Sequence, residues 1–224
     1  MAVTKVPPRV GPCTPEEILD AAEWCFLHLG VAGTSTALIA ARTRCARSLV
    51  SAHFPSPRSI LQEVLYRGRL PLIGHLRRVK ATQTQLIPAL RSALQLCLND
   101  ILHNERVRAT QEILLFHCDL RHLPKDVLEQ QIKESAEAMA LLRSIAVDAK
   151  RAGELRENIC PESWASILGQ LLSGAVRLCL MEHTEDARTE AWRTATRAME
   201  TAFLMAGPLQ SGEEAALLKR DSSA

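Results

Sequence analysis

Apolar residues recur along this chain at intervals of three and four, and nowhere do they alternate one in two. That period is helical. Ile18, Ala22, Cys25, Phe26 and Leu29 mark one face of a first helix. Thr14-Pro15-Glu16-Glu17 opens it with a capping hydroxyl, a first-turn proline and two carboxylates, and Gly30 is placed to end it. Short helices are predicted over 36–42 and 46–52. Phe54-Pro55-Ser56-Pro57 then breaks the chain, and Ser56-Pro57 starts the next helix. That helix runs to about Arg78 with Leu61, Val64, Leu65, Leu72 and Leu76 on its apolar side, and Pro71 inside it predicts a kink. Further amphipathic segments are predicted over 84–99, 105–119, 125–152, 162–182 and 187–206, with Pro88, Pro124 and Pro161 at or near their starts. From Gly207 onward the chain reads as a flexible tail over 207–224. The fold class is all-α, of about nine helices, without an internal repeat.

The 224 residues suffice for one or two domains, and 47% hydrophobic with 23% charged residues is ordinary for a globular protein. Disordered, collagen-like and disulfide-dense classes are excluded. The N-terminus carries no apolar signal region. The most apolar stretch, Ser166 to Met181, is interrupted by Gln170 and Arg177 and falls short of the roughly 20 residues a spanning helix needs. A cytoplasmic protein with no membrane partner is the expectation. The seven cysteines (Cys13, Cys25, Cys45, Cys97, Cys118, Cys160 and Cys179) show no CxxC pair and predict neither a disulfide framework nor a zinc ribbon. They read as small core residues, with a redox-sensing pair as the alternative.

Cys118 and His122 stand at i and i+4, a spacing that places two ligands on one helix face, but no second ligand pair accompanies them and a structural site needs about four. No metal or cofactor is expected. No nucleophile elbow, phosphate loop or dinucleotide fingerprint is present, so no catalytic residue is assigned and the chain is not read as an enzyme.

The net charge of +2 conceals an asymmetry. Residues 1–80 carry eleven Lys and Arg against five Asp and Glu, and residues 81–224 carry sixteen against twenty. Between Ala41 and Gln62 stand Arg42, Arg44, Arg47 and Arg58 with no acid. Such a run is either a solvated face or the footprint of phosphate-backbone binding.

Ile18-Leu19-Asp20-Ala21-Ala22, Phe26, Gly30, Thr34-Ser35, Ile39-Ala40 and His53-Phe54-Pro55-Ser56 follow one another without a gap. In this order they resemble the N-terminal DNA-binding domain of TetR-family transcriptional regulators. The resemblance covers about the first third of the chain. It implies a three-helix domain over 12–72 with a helix-turn-helix at 35–54, a larger helical ligand-binding and dimerisation domain over 73–206, and double-stranded operator DNA as partner. A short helix fits the major groove while the preceding helix positions it on the backbone. By position, Thr36 and His53 match phosphate contacts and Arg47 faces backbone or bases; Arg42, Arg44, Ser48 and Ser51 are further candidates. The chain departs from the family where Arg44 replaces the turn glycine, Ala46 the capping Ser or Thr, Ser48 a small glycine, Ser51 the common tyrosine, and Pro57 the basic residue after the HFPS run.

The resemblance further implies a homodimer formed through the last two long helices, where Ser166, Gly169, Ser173 and Gly174 permit close approach of a second copy or of a helix in the same chain. A pocket for a mostly apolar small-molecule effector is expected near Phe116, His117, Met139, Arg143 and Trp164, although each of these types is more often ordinary core or surface. Gly68 and Pro71 would hinge the connecting helix. The expected function is a repressor released by its ligand; the alternative is a protein of the same fold that has lost specific DNA binding and senses a ligand or thiol redox state through protein contacts.

Overall fold

The computed structural model describes residues 13–82, 84–119 and 123–207. Among these residues the protein is helical throughout, without a strand: α1 (Pro15–Gly33), α2 (Thr36–Thr43), α3 (Arg47–His53), α4 (Pro57–Arg67), α5 (Leu72–Thr82), α6 (Leu86–His103), α7 (Glu105–Glu112), a π-helical turn (Ile113–His117), α8 (Lys125–Arg151), α9 (Pro161–Met181) and α10 (Glu185–Ala206). Residues 208–224, most of the tail expected from Gly207, lie outside the described residues, as does His122 of the metal spacing.

There is one α-helix more than expected because the helix predicted from Ser56 to about Arg78 is two. Pro71 does not kink a continuous helix. It lies in a break, where its missing N–H ends the ladder and its carbonyl accepts the first bond of α5 from the His75 N–H at 3.1 Å. Gly68, at the end of α4, sets the other side of the break by touching α7. A Cβ there would stand 1.9 Å from Thr110 Oγ1 and 2.6 Å from the Arg106 carbonyl.

Helix starts follow the sequence signals. Thr14 Oγ1 accepts from the Glu17 N–H at 3.2 Å while the Glu17 carboxylate accepts from the Thr14 N–H at 3.1 Å, a reciprocal capping box. Ser56 and Ser59 form a second such box at α4, and the side chains of Ser35, Asn104 and Thr184 each accept a first-turn N–H of α2, α7 and α10. Gly30 takes φ +73, as a terminating glycine does, but one further turn follows it to Gly33, so the predicted stop is a kink within α1.

The chain forms two compact units. The first comprises residues to Leu70 together with His103–Ile132; the second comprises Pro71–Leu102 and the chain from Lys133. The core of the first unit joins Ile18, Ala22, Cys25 and Phe26 of α1 to Ile39 of α2, Val50 of α3, and Ile60, Leu61 and Val64 of α4. Ile113, Leu123 and Val127, from much later in the chain, complete it. In the second unit Trp164 packs edge-on to Phe203 at 5.4 Å and its indole N–H donates to the Ala202 carbonyl at 3.2 Å. The Glu154 carboxylate accepts from the Leu86 and Ile87 N–H groups at 3.0 and 2.8 Å, capping α6 from outside.

Two expectations are overturned. The apolar stretch expected to be too short for a membrane begins earlier, at Pro161, and as α9 its 21 residues are long and apolar enough to cross one by length and composition. Its Trp164, Ala165, Leu168, Leu172, Ala175, Val176, Cys179 and Leu180 are buried within the fold. The cysteines are not all free: Cys13 and Cys45, 32 residues apart, form a disulfide with a Cα–Cα distance of 6.2 Å. No spacing rule marks such a pair, because the folding of α1 to α3 brings it together. In the chain-entropy account a loop of this size is worth about 3–4 kcal/mol. Cys25, Cys97 and Cys179 are buried free thiols, as predicted.

Since the Gly68 contact involves a carbonyl and the base of a β-branched residue, neither can swing away. Gly68→Ala is expected to destabilise the protein by about 1–3 kcal/mol through overpacking, read as a lowered urea midpoint; an unchanged midpoint would show that α4 and α7 separate freely.

Candidate nucleic-acid interface

Between α2 and α3 the chain turns through Arg44, at φ 58 and ψ 25 in the left-handed region. That conformation is where a glycine is favoured, and a non-glycine residue there costs about 1 kcal/mol. Ala46 stands at the N-cap of α3 with no side-chain hydrogen bond, so a cap worth about 1 kcal/mol is missing. What holds the turn comes from elsewhere. The Cys45 N–H donates to the Ala40 carbonyl at 3.0 Å and to Thr43 Oγ1 at 3.3 Å, and the Cys45 sulfur is bonded to Cys13.

The seven residues of α3 are anchored by Val50, its one buried side chain. Arg47, Ser48 and Ser51 are exposed and share an arc of about 100° at 3.6 residues per turn. His53 is also exposed, at the C-terminal end and off that arc, and Thr36 is half-buried in the first turn of α2. The structure thus gathers Arg44, Arg47, Ser48 and Ser51 around one turn and one helix face.

The remaining arginines of the basic run are partnered within the unit. The Arg42 guanidinium lies 3.7 Å over the Trp24 ring, and the other face of this arrangement is a parallel stack of Trp24 on His28 at 4.1 Å. Arg58 pairs with Asp126, whose carboxyl is held below the usual range chiefly by that hydrogen bond. Among the described residues no ion pair is recorded for Arg44 or Arg47, and both face solvent. The separation of 68 positions from Arg58 to Asp126, and the separate helices carrying Trp24 and Arg42, put both pairings beyond any local spacing signal.

Arg67 braces the same unit from the opposite end of α4, bonding Asp20 at 2.7 Å and Glu23 at 3.2 Å. Burial raises the Glu23 carboxyl above its ordinary value, against the opposing pull of Arg67.

The residues expected around a ligand are divided. Phe116 and His117 lie in the π-helical turn of the first unit, the His117 Nε2 3.6 Å from a Glu112 oxygen. Met139, Arg143 and Trp164 lie in the second unit, where the Trp164 indole already has its partner and Met139 sits beneath Gly169. Within the first unit a cavity of about 160 Å³ is lined by Phe26, Val31, Leu61, Cys118, Leu123 and Pro124, with Arg58 and Asp119 at its polar edge. None of the five expected residues lines it.

Of the four small residues expected at a dimer interface, Gly169 is occupied inside the chain: a Cβ there would meet Met139 Sδ at 2.6 Å. Ser166 donates to the Glu162 carbonyl at 2.9 Å. Ser173 and Gly174 face outward, and nothing lies within 4 Å of a Cβ built on Gly174. Gly174 borders an apolar groove of about 350 Å³ between α9 and α10, lined also by Ile167, Leu171, Leu178, Ala195 and Ala198.

A short, outward-facing helix after a tight turn, with Arg44 and Arg47 exposed at the junction, is the arrangement of a helix-turn-helix. Residues 18–64 match the family described as bacterial regulatory proteins, tetR family. The chain is 24% identical over 170 residues to the HTH-type transcriptional regulator TtgR of Pseudomonas putida, a match covering 75% of this chain and 80% of that one. The structure of SmeT, the repressor of the Stenotrophomonas maltophilia multidrug efflux pump SmeDEF, is 27% identical with a TM-score of 0.66, over 88% of this chain and 91% of that one; a SmeT–triclosan complex matches with a TM-score of 0.71 at 26% identity, over 87% and 91%. NalD, the secondary repressor of the MexAB-OprM multidrug efflux pump in Pseudomonas aeruginosa, shares the fold with a TM-score of 0.72 at 21% identity, over 88% and 96%. In the sequence of its helix-turn-helix segment and in its fold, the chain is similar to TetR-family transcriptional regulators.

Replacing the strained turn residue separates its two roles. Arg44→Gly is expected to stabilise the protein by about 1 kcal/mol by relieving the left-handed backbone. Thermal unfolding should then shift up by about 2–4 °C, and a lowered melting temperature would show that the Arg44 side chain stabilises the turn.

Proposed function

We propose that this regulator binds a double-stranded operator as a homodimer and represses transcription until a small, mostly apolar ligand releases it. The observation that carries the DNA-binding reading is the pair Arg44 and Arg47, exposed and without an acidic partner among the described residues, at the entrance to a helix anchored by Val50. Arginine at the start of such a helix reaches phosphates or guanine edges, and the Ser48 and Ser51 hydroxyls add hydrogen bonds on the same face. Thr36 and His53 take flanking phosphates. Arg42 contributes charge from its place on Trp24.

Dimerisation is supported by apolar surface exposed on the last two helices. Ile167, Leu178 and Met181 of α9 are exposed, and Leu204 and Met205 of α10 are each 66% exposed. Beside the open Gly174 groove, this surface suits α9 and α10 of a second copy. Two-fold pairing presents two recognition helices to half-sites about 34–36 Å apart, which one seven-residue helix cannot read alone. Repression with ligand relief is taken from the SmeT and NalD repressors and the SmeT–triclosan complex. It agrees with the apolar character of the helices and points to hydrophobic, drug-like effectors.

Fluorescence anisotropy with the DNA upstream of the protein's own reading frame tests the reading. Four arginines from two protomers imply a slope of log affinity against log salt of about −4. Arg47→Ala should weaken binding by roughly tenfold or more and flatten that slope, corresponding to about 1–3 kcal/mol for a lost arginine contact. Weak binding, equal for any sequence, would overturn the proposal.

The dimer has its own test. Leu178→Glu places a carboxylate in the α9–α10 groove and should convert the protein from dimer to monomer by light scattering, with operator affinity lost alongside. A monomeric native protein would refute the pairing.

A further inference from the structure

The turn before the recognition helix lacks the two local devices that would hold it: Arg44 occupies a conformation suited to glycine, and Ala46 offers no cap. In their place stands a covalent bond from Cys45 to Cys13, immediately ahead of the capping residue of α1. We propose that Cys13 and Cys45 form a thiol–disulfide switch that sets operator affinity by fixing or releasing this turn. The inference rests on the DNA-binding reading above and adds a modification site to it.

The bond couples two places with different demands. Cys13 is buried in the core of the first unit, while Cys45 is half-buried against the same core and follows the exposed Arg44 in the chain. With the bond closed, α3 keeps Arg47, Ser48 and Ser51 aimed outward from a turn fixed at both its backbone and its side chain. With the bond open, Cys45 keeps the Ala40 carbonyl, the Thr43 hydroxyl and carbonyl and its packing against the core, non-covalent contacts set against the strain at Arg44. A recognition helix that samples several orientations makes fewer simultaneous phosphate contacts, so the oxidised form is the tighter binder.

The remaining thiols do not compete. Burial pushes the Cys97 thiol up to about 12 and Cys118 up to about 11, and raises Cys25 and Cys179 as well, so none of them ionises readily. Cys160 is exposed, but the groups recorded at its sulfur are Glu162 and Ser163, not a second thiol.

The chemistry balances with a hydroperoxide as oxidant. Cys45, the more exposed of the pair, attacks the peroxide as thiolate; an S–O bond forms, the O–O bond breaks, and the leaving alkoxide or hydroxide takes a proton to depart as alcohol or water. The Cys13 sulfur then attacks the Cys45 sulfenic acid, the S–S bond forms, and the hydroxyl leaves as water with the Cys13 proton. Two sulfurs lose two electrons and the peroxide gains them. A dithiol reverses the bond by exchange.

The test compares full-length protein treated with hydrogen peroxide, then quenched, against protein reduced with dithiothreitol. Peptide mapping without reductant identifies the Cys13–Cys45 link. In anisotropy with the upstream DNA, the oxidised protein should bind about tenfold more tightly than the reduced. Cys13→Ser and Cys45→Ser should each hold the reduced affinity under both treatments, and Cys160→Ser should keep the full response. Equal affinities in the two states of the native protein, or a response surviving in Cys13→Ser, would overturn the switch. Absence of DNA binding in both states would overturn the DNA-binding reading instead. The switch is then judged by hydrogen exchange over residues 41–50: exchange about tenfold slower after oxidation supports it, and equal rates refute it.

Discussion

A helix of seven residues has no stability of its own in water, because the entropy of nucleating it exceeds what two or three backbone bonds return. The recognition helix α3 is such a segment, and it lacks a capping side chain as well. Everything in the first unit can be understood as the means of holding it. Val50 reaches a core whose floor is Ile18, Ala22 and Phe26 on a firmly capped α1. The turn is clamped by Thr43 and by the bond to Cys13, and Arg67 ties α4 back to Asp20 and Glu23. The outward face of α3 is consequently free of structural duty, and its polar residues are available to a ligand as large as a duplex.

Charge in this unit is sorted by partner. Arg58 is neutralised by Asp126 and Arg42 is drawn onto an indole face, which leaves Arg44 and Arg47 as the arginines of the run that meet neither an acid nor a ring among the described residues. A basic run counted along the sequence therefore overstates the charge offered to phosphates, and the geometry narrows the electrostatic footprint to the turn itself. In the second unit the corresponding division is among apolar groups. One stripe of α9 is buried within the unit, while Ile167, Leu178 and Met181 remain outside it. The same residues that make this helix apolar enough to resemble a membrane span also give it two sticky sides.

Helix identity and several helix starts were legible from residue type alone, because caps and first-turn prolines act over three or four residues: Thr14 and Ser56 stand where expected, whereas α10 starts at Glu185 behind Thr184, ahead of the predicted 187. The strain at Arg44 and the bare N-cap at Ala46 were legible for the same reason. Pairings made by folding were not. The stack of Arg42 on Trp24, the Arg58–Asp126 pair and the Cys13–Cys45 bond each join different elements at separations with no periodic signature. The break at Pro71 was misread as a kink because the close approach of Gly68 to α7, which sets one side of that break, is a tertiary fact.

The first unit closes only with Ile113, Leu123 and Val127, which follow α1 to α4 by some distance in the chain. On a ribosome, where synthesis runs at about 5–20 residues per second, the DNA-reading head therefore stays incomplete for several seconds after its own helices have emerged. It waits for a segment that lies beyond α5 and α6. Such a head is not a cassette that recombination can lift from one regulator to another, since a cut after α4 leaves Phe26 and Leu61 facing water.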